Sequence, residues 1–210
     1  MPARTTTEWA MPVLKCEPFV YPDDLFEHQP DAVGEGRWWV IRSRPRAEKT
    51  VARRLLARQH PYFLPTYRRC WRNKQRQQEA FLPLFAGYLF TWGGEETRRA
   101  ALETNQVVTT FTTADQSGLQ RDLERVHRLT ESDTPLIPEE RLVEGALVEI
   151  IEGPLRGLVG KFVRRGGGAR IVIEVELLRQ GVSVEIEGWM LRAMGRSASA
   201  VQRERLVEKV

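Results

Sequence analysis

The stretch RWWVIRSRPRAEKTVARRLLARQ, residues 37–59, changes its hydrophobic period at a proline. Trp38 to Ile41 are apolar without interruption, as a strand covered on both faces requires. Pro45 suits the first turn of a helix. After it Ala47, Val51, Ala52, Leu55 and Gln59 keep the helical repeat, while Lys49, Arg53 and Arg54 point elsewhere. A buried strand followed at once by an amphipathic helix needs a sheet to join, and the downstream sequence supplies one.

HPYFLPTYRRCW, residues 60–71, is broken by two prolines and reads as extended. RNKQRQQEA, residues 72–80, is polar and long enough for a hairpin tip. FAGYLFTW, residues 85–92, reads as a strand, EETRRAALETN as a short helix with Glu95 and Glu96 near its positive end, and VVTTFTT as a β-branched strand. Ser117 and Gln120 have capping-box spacing ahead of a stripe of Leu119, Leu123, Val126 and Leu129. The order β-α-β-β-α-β-α over residues 37–132 predicts an α+β domain with a mainly antiparallel sheet flanked by helices.

The flanks differ in texture. Residues 1–36 hold five prolines and no sustained period, which predicts a flexible or surface-lying extension. DTPLIPEERL, residues 133–142, reads as a linker. Residues 143–194 then become short β-rich runs separated by GPLRG, GGG and QG, the pattern of a small all-β barrel. Residues 195–210 read as a loosely held tail.

The net charge is only +4, but it is unevenly placed. Between Arg42 and Arg76 there are twelve Lys/Arg against one acid, Glu48, a local charge of +11. Such a concentration suggests a polyanionic partner; a solvated helix face with a hairpin tip is the alternative. Directly after it comes LPLFAGYLF, residues 82–90, which carries no charge at all. Cys16 and Cys70 stand alone, without the spacing of a zinc site or disulfide framework, which suits a reducing, cytoplasmic setting. Neither a signal-peptide pattern nor an 18-residue apolar run occurs, so no membrane is expected. His28, His60 and His127 lack ligand spacing, and no GxxxxGK[ST] loop is present. No enzyme, metal or cofactor is therefore expected.

Two stretches resemble a known family. RWWVIRSRPRAEKTVARRLLARQ, FLPT and PLFAGYLF are similar to the N-terminal domain of the NusG family of transcription elongation factors. VEGALVEIIEGPLRGLVGKFV resembles the KOW motif of that family's C-terminal, SH3-like barrel. The resemblance implies an α+β domain that grips the clamp helices of the RNA polymerase β′ subunit. It implies further that the factor modulates pausing, termination or antitermination, as the general factor or as a specialised RfaH-like paralog. Leu84, Phe85, Tyr88 and Trp38 are the expected polymerase contacts. The family's Phe-Pro-Gly-Tyr reads Phe85-Ala86-Gly87-Tyr88 here, and a turn at Ala86-Gly87 would bring Phe85 and Tyr88 together. Arg44, Arg46, Lys49 and Arg53 are expected on non-template DNA, on a face separate from the apolar seat. Gly153, Pro154, Gly157 and Gly160 shape the KOW turn, and Phe162, Ile173 and Trp189 are expected to contribute to a second partner, Rho or a small-subunit ribosomal protein. A monomer is implied.

The rival reading is a ribosome-associated KOW-type RNA-binding protein, which needs a basic barrel. From Gly145 to Arg192 seven Lys/Arg face six Glu, so the segment is close to neutral and favours a protein partner. The same segment is rich in β-branched residues and carries Pro154, which favours strands over an α-helical hairpin.

Overall fold

The structure, a computed structural model, describes residues 18–27, 36–73, 76–132, 134–141, 144–165 and 168–194. Most of the N-terminal extension, Gly166 and Gly167 of the glycine run, and the tail from residue 195 lie outside the described residues. The first half of the chain runs β1 (Val20–Tyr21), β2 (Arg37–Ser43), α1 (Glu48–Ala57), β3 (Tyr62–Phe63), β4 (Thr66–Asn73), β5 (Arg76–Pro83), β6 (Tyr88–Gly93), α2 (Glu95–Leu102), β7 (Val107–Phe111) and α3 (Gln116–Thr130). The second half is all strand and short turns: β8 (Leu136–Glu139), β9 (Leu147–Ile150), β10 (Val159–Arg165), β11 (Gly168–Val175), β12 (Gln180–Glu185) and β13 (Leu191–Ala193).

The first sheet is antiparallel, in the order β1-β3-β6-β2-β7. Alternation divides its two faces cleanly. Ile41 and Leu89 pack with Val51, Ala52 and Leu55 of α1 and with Ala100 and Ala101 of α2. Trp38, Val40, Phe63 and Phe90 face the other way and pack with Leu119, Leu123 and Val126 of α3. This explains the uninterrupted apolar run in β2, which has helices on both sides.

The second sheet is antiparallel in the order β13-β9-β10-β11-β12-β8. Helix α3 lies between the two sheets. The side chains at Gln116, Gln120 and His127 reach the first sheet: Trp38 N–H donates to Gln116 Oε1 at 2.7 Å, and its indole N–H to the Gln120 carbonyl oxygen. The side chains at Asp122 and Arg128 reach the second sheet. Glu176 N–H donates to Asp122 Oδ2 at 3.1 Å, and Arg128 Nη2 donates to the Arg156 carbonyl at 2.7 Å.

Several expectations need correction. Residues 133–142 are not a plain linker: Leu136–Glu139 is a strand paired to β12, with Pro138 opposite Val182. Proline is tolerated because β8 is an edge strand, where one backbone N–H has no ladder partner to lose. The extension is docked over residues 18–27. Val20 pairs with Phe63, and Phe26 stacks on Trp38 at 5.7 Å between centroids. Helix α1 begins after Pro45, which sits in the preceding turn; Arg46 there has φ 63°. Helix α3 is capped by Asp115, which accepts from Gly118 N–H at 2.7 Å, and Gln120 is committed to Trp38 rather than to a capping box. Most of RNKQRQQEA belongs to the strands β4 and β5, a two-stranded hairpin with its own register.

Candidate functional site

The strand expected at Phe85 begins at Tyr88, because Phe85-Ala86-Gly87-Tyr88 is a tight turn. Tyr88 N–H donates to the Phe85 carbonyl at 3.0 Å, and Gly87 has φ 83°, a left-handed value that suits glycine at the third position of a type II turn. Two further bonds hold the turn against the start of α1. Gly87 N–H donates to the buried Glu48 carboxylate at 2.6 Å, and Ser43 N–H donates to the Gly87 carbonyl at 2.8 Å.

The turn sends its two aromatics apart. Phe85 is 1% exposed and meets Phe90 edge-on at 6.1 Å. Tyr88 is half-buried and meets Phe111 edge-on at 6.5 Å. The expectation that the turn joins them is therefore corrected. Leu84 at 3% and Trp38 at 1% are buried with Phe85 in the core. Of the four residues expected to touch a protein partner, only Tyr88 reaches an open surface.

That surface is a depression of about 880 Å³, lined by Tyr67, Phe81, Leu82, Pro83, Ala86, Tyr88 and Val108. Tyr67 and Leu82 face each other across the base of the β4–β5 hairpin. Val108 is 60% exposed because the β2–β7 register slips between Arg42 and Ser43, leaving Val108 without a cross-strand partner. An exposed tyrosine edge, a proline and aliphatic side chains in one concavity make a seat for an apolar partner surface.

Arg42, Arg46 and Lys49 line the same depression. Charge and apolar seat are therefore side by side, and the expectation of two separate faces is corrected. Arg44 lies exposed in the loop before α1, and Arg53 is exposed on α1 one turn beyond Lys49. Sequence reasoning missed Tyr67, Phe81, Leu82 and Val108. Tyr67 sits in a segment whose charge dominated the reading, Phe81 and Leu82 stand at the edge of the uncharged stretch whose Phe85 and Tyr88 drew the assignment, and Val108 depends on a bulge no pattern announces.

In the second sheet, Gly153 and Gly157 have φ 85° and 84° on either side of Pro154, and Gly157 N–H donates to the Ile150 carbonyl at 2.7 Å. Gly160 allows close packing, since a Cβ there would meet the Val172 carbonyl oxygen at 2.6 Å. Ile173, expected at a partner surface, is 1% exposed and belongs to the core, which corrects that assignment. Phe162 is half-buried with the Arg164 guanidinium 6.0 Å from its ring centroid. Trp189 is 61% exposed.

Two titrating groups sit on α3. Burial lowers the His127 pKa, opposed by the Glu131 carboxylate. Burial raises the Asp122 pKa, opposed by the Glu176 N–H and by Arg125. Among the described residues no group of three His, Cys, Asp or Glu is placed to hold a metal ion, and no helix is long and apolar enough to cross a membrane.

The first domain is thus an α+β unit with an antiparallel sheet between helices and an open apolar seat rimmed by cations. Residues 36–134 match the family model described as "Transcription termination factor nusG". The match spans the sheet from β2 onward with its three helices and stops just before β8. Residues 36–134 are thus similar to the NusG family of transcription factors. The chain is also similar to a solved structure titled "Domain interaction in Thermotoga maritima NusG", at 15% identity, covering 76% of this chain and 98% of that one, with a TM-score of 0.42. No curated protein matches it.

Proposed function

We propose that this chain is a transcription elongation factor that seats its Tyr88 depression on the clamp helices of the RNA polymerase β′ subunit and modulates pausing, termination or antitermination. The single observation that carries the reading is the concavity itself. An α+β unit of this family leaves one apolar surface open, and its rim carries Arg42, Arg46 and Lys49. Tyr88, Tyr67, Phe81, Leu82 and Val108 form the protein contact, in place of Trp38, Leu84 and Phe85. Arg44 and Arg53, with Arg46 and Lys49 beside the seat, run along non-template DNA through phosphate contacts. The C-terminal sheet serves as a KOW barrel that recruits a second protein, Rho or a small-subunit ribosomal protein, through the Phe162 region and Trp189. Its near balance of charge supports a protein partner over structured RNA.

Co-purification of the polymerase with the full chain and with Leu82→Ala/Tyr88→Ala tests the seat. Retained polymerase with wild type and at least about thirtyfold weaker binding by the double variant is expected, since an interface aromatic contributes ~2 kcal/mol or more. Equal binding by both would remove the depression from the interface. Recovery of ribosomal RNA without polymerase would favour the rival RNA-binding reading.

A further inference from the structure

The β4–β5 hairpin is not used by the site above beyond its base. Its strands pair over eight residues each, from Thr66–Pro83 to Asn73–Arg76. At ~3.3 Å per residue such an arm extends about 26 Å. It joins neither of the larger sheets. Register assigns its side chains: Tyr67, Arg69 and Trp71 lie on one face with Leu82, Ala80 and Gln78, while Arg68, Cys70 and Arg72 lie on the other with Phe81 and Glu79.

Trp71 is 42% exposed, one of the largest apolar side chains the surface presents. A tryptophan held in solvent on a strand contributes little to the fold, and here its neighbours are cations. Arg68, Arg69 and Arg72 are all exposed. The hairpin's one acid, Glu79, lies 3.9 Å from Arg68, on the face opposite Arg69 and Trp71. On the Trp71 face the cross-strand partners are Ala80 and Gln78, neither of them charged or aromatic.

We infer that this arm is a binding site for single-stranded nucleic acid, with one base stacked on Trp71 and the flanking phosphates held by Arg69 and Arg72. An exposed indole accepts any base on its π face, and arginines on both faces of the strand follow a backbone that passes across it. Duplex DNA is a poor fit, because its bases are already stacked and closed to the indole. The inference rests on the hairpin alone and stands apart from the polymerase seat. The base of the arm forms one wall of that seat, so a nucleic acid held by the arm lies next to whatever the seat grips.

The test is fluorescence anisotropy with labelled twelve-nucleotide oligo-dT, oligo-U and a duplex of the same length, using the full chain. Trp71→Ala is expected to weaken single-strand binding about tenfold, and Trp71→Phe to stay within about threefold of wild type. Arg69→Gln/Arg72→Gln is expected to lower the slope of log affinity against log salt by about 1.4, at ~0.7 per phosphate contact. The tighter of oligo-dT and oligo-U names the source of the strand. Unchanged binding by Trp71→Ala at unchanged melting temperature overturns the proposal, as does a preference for duplex. Loss of polymerase affinity with unchanged oligonucleotide binding overturns it in favour of a protein contact. A failure of the polymerase reading shows in co-purification and leaves the anisotropy result unaffected.

Discussion

One face of the first sheet has two ends, and they have opposite fates. At the first end Trp38, Val40 and Phe90 are covered by α3, with Phe26 of the N-terminal segment stacked on Trp38. Two residues further along β2 and two back along β6, Arg42 and Tyr88 occupy the same face as a cross-strand pair. Among the described residues no helix packs over that end, and it becomes a wall of the depression. Each end carries an aromatic side chain, but the open end pairs Tyr88 with Arg42 where the covered end pairs Phe90 with Val40. Which of the two ends stays open follows the coverage by α3 as much as the residue types in the strand.

The comparison breaks most visibly at Phe85 and Tyr88, three residues apart across one turn. Phe85→Ala opens a cavity in the covered end, and a loss of ~3–5 kcal/mol of stability is expected in urea unfolding. A loss under ~1 kcal/mol would place Phe85 on the surface and restore it as a contact. Tyr88→Ala removes a half-buried side chain at the open end. Its larger expected effect is on polymerase affinity, about 2 kcal/mol, with stability changed by less than that.

Much of the architecture was legible in the sequence. The period change at Pro45, the β-branched run at Val107 and the stripe from Leu119 to Leu129 announced a helix-flanked antiparallel sheet, because each pattern depends only on near neighbours. The site was legible in position but not in detail. Tyr88 was separable from Phe85 only once Gly87 adopted its positive φ and turned the chain, and the sequence allowed that turn without specifying where either ring would go. Residues 136–139 failed for a different reason. A four-residue edge strand holding a proline has too few side chains to show a period, and its partner β12 lies some forty residues away. The Phe26 contact was equally hidden, since aromatics scattered through an acidic, proline-rich stretch show no period.

A smaller effect separates the rim of the depression from its floor. Arg42→Gln/Arg46→Gln/Lys49→Gln is expected to weaken association with an elongation complex by ~1 kcal/mol at low salt, with the difference fading as salt rises. The Tyr88→Ala loss should persist across the same salt range, because burial of apolar surface is not screened. If the triple variant's loss were independent of salt, the rim cations would be holding the turn and not the partner.

The smallest expected effect lies at the covered end and concerns pH. His127 on α3 packs against Phe26, with ring centroids 4.7 Å apart, and against Phe63 at 5.7 Å. Burial among these rings disfavours the imidazolium, so the folded-state pKa lies below that of the unfolded chain, while Glu131 at 3.7 Å opposes the shift. Between the two pKa values the unfolded chain binds more protons than the folded one. The contribution of His127 to stability is therefore fully present above the unfolded value, and it is lost as pH falls through that value toward the folded one. Lowering the pH from about 7.5 to about 5.5 should lower the urea midpoint, in the range where an ordinary histidine titrates. His127→Phe should flatten this dependence, because it keeps an apolar ring against Phe26 and removes the titrating group. Glu131→Gln should steepen it, since the carboxylate is what favours the charged form. A slope unchanged in His127→Phe would mean that the imidazole is already free to protonate in the folded chain, and that the covered end is less closed to water than its packing implies.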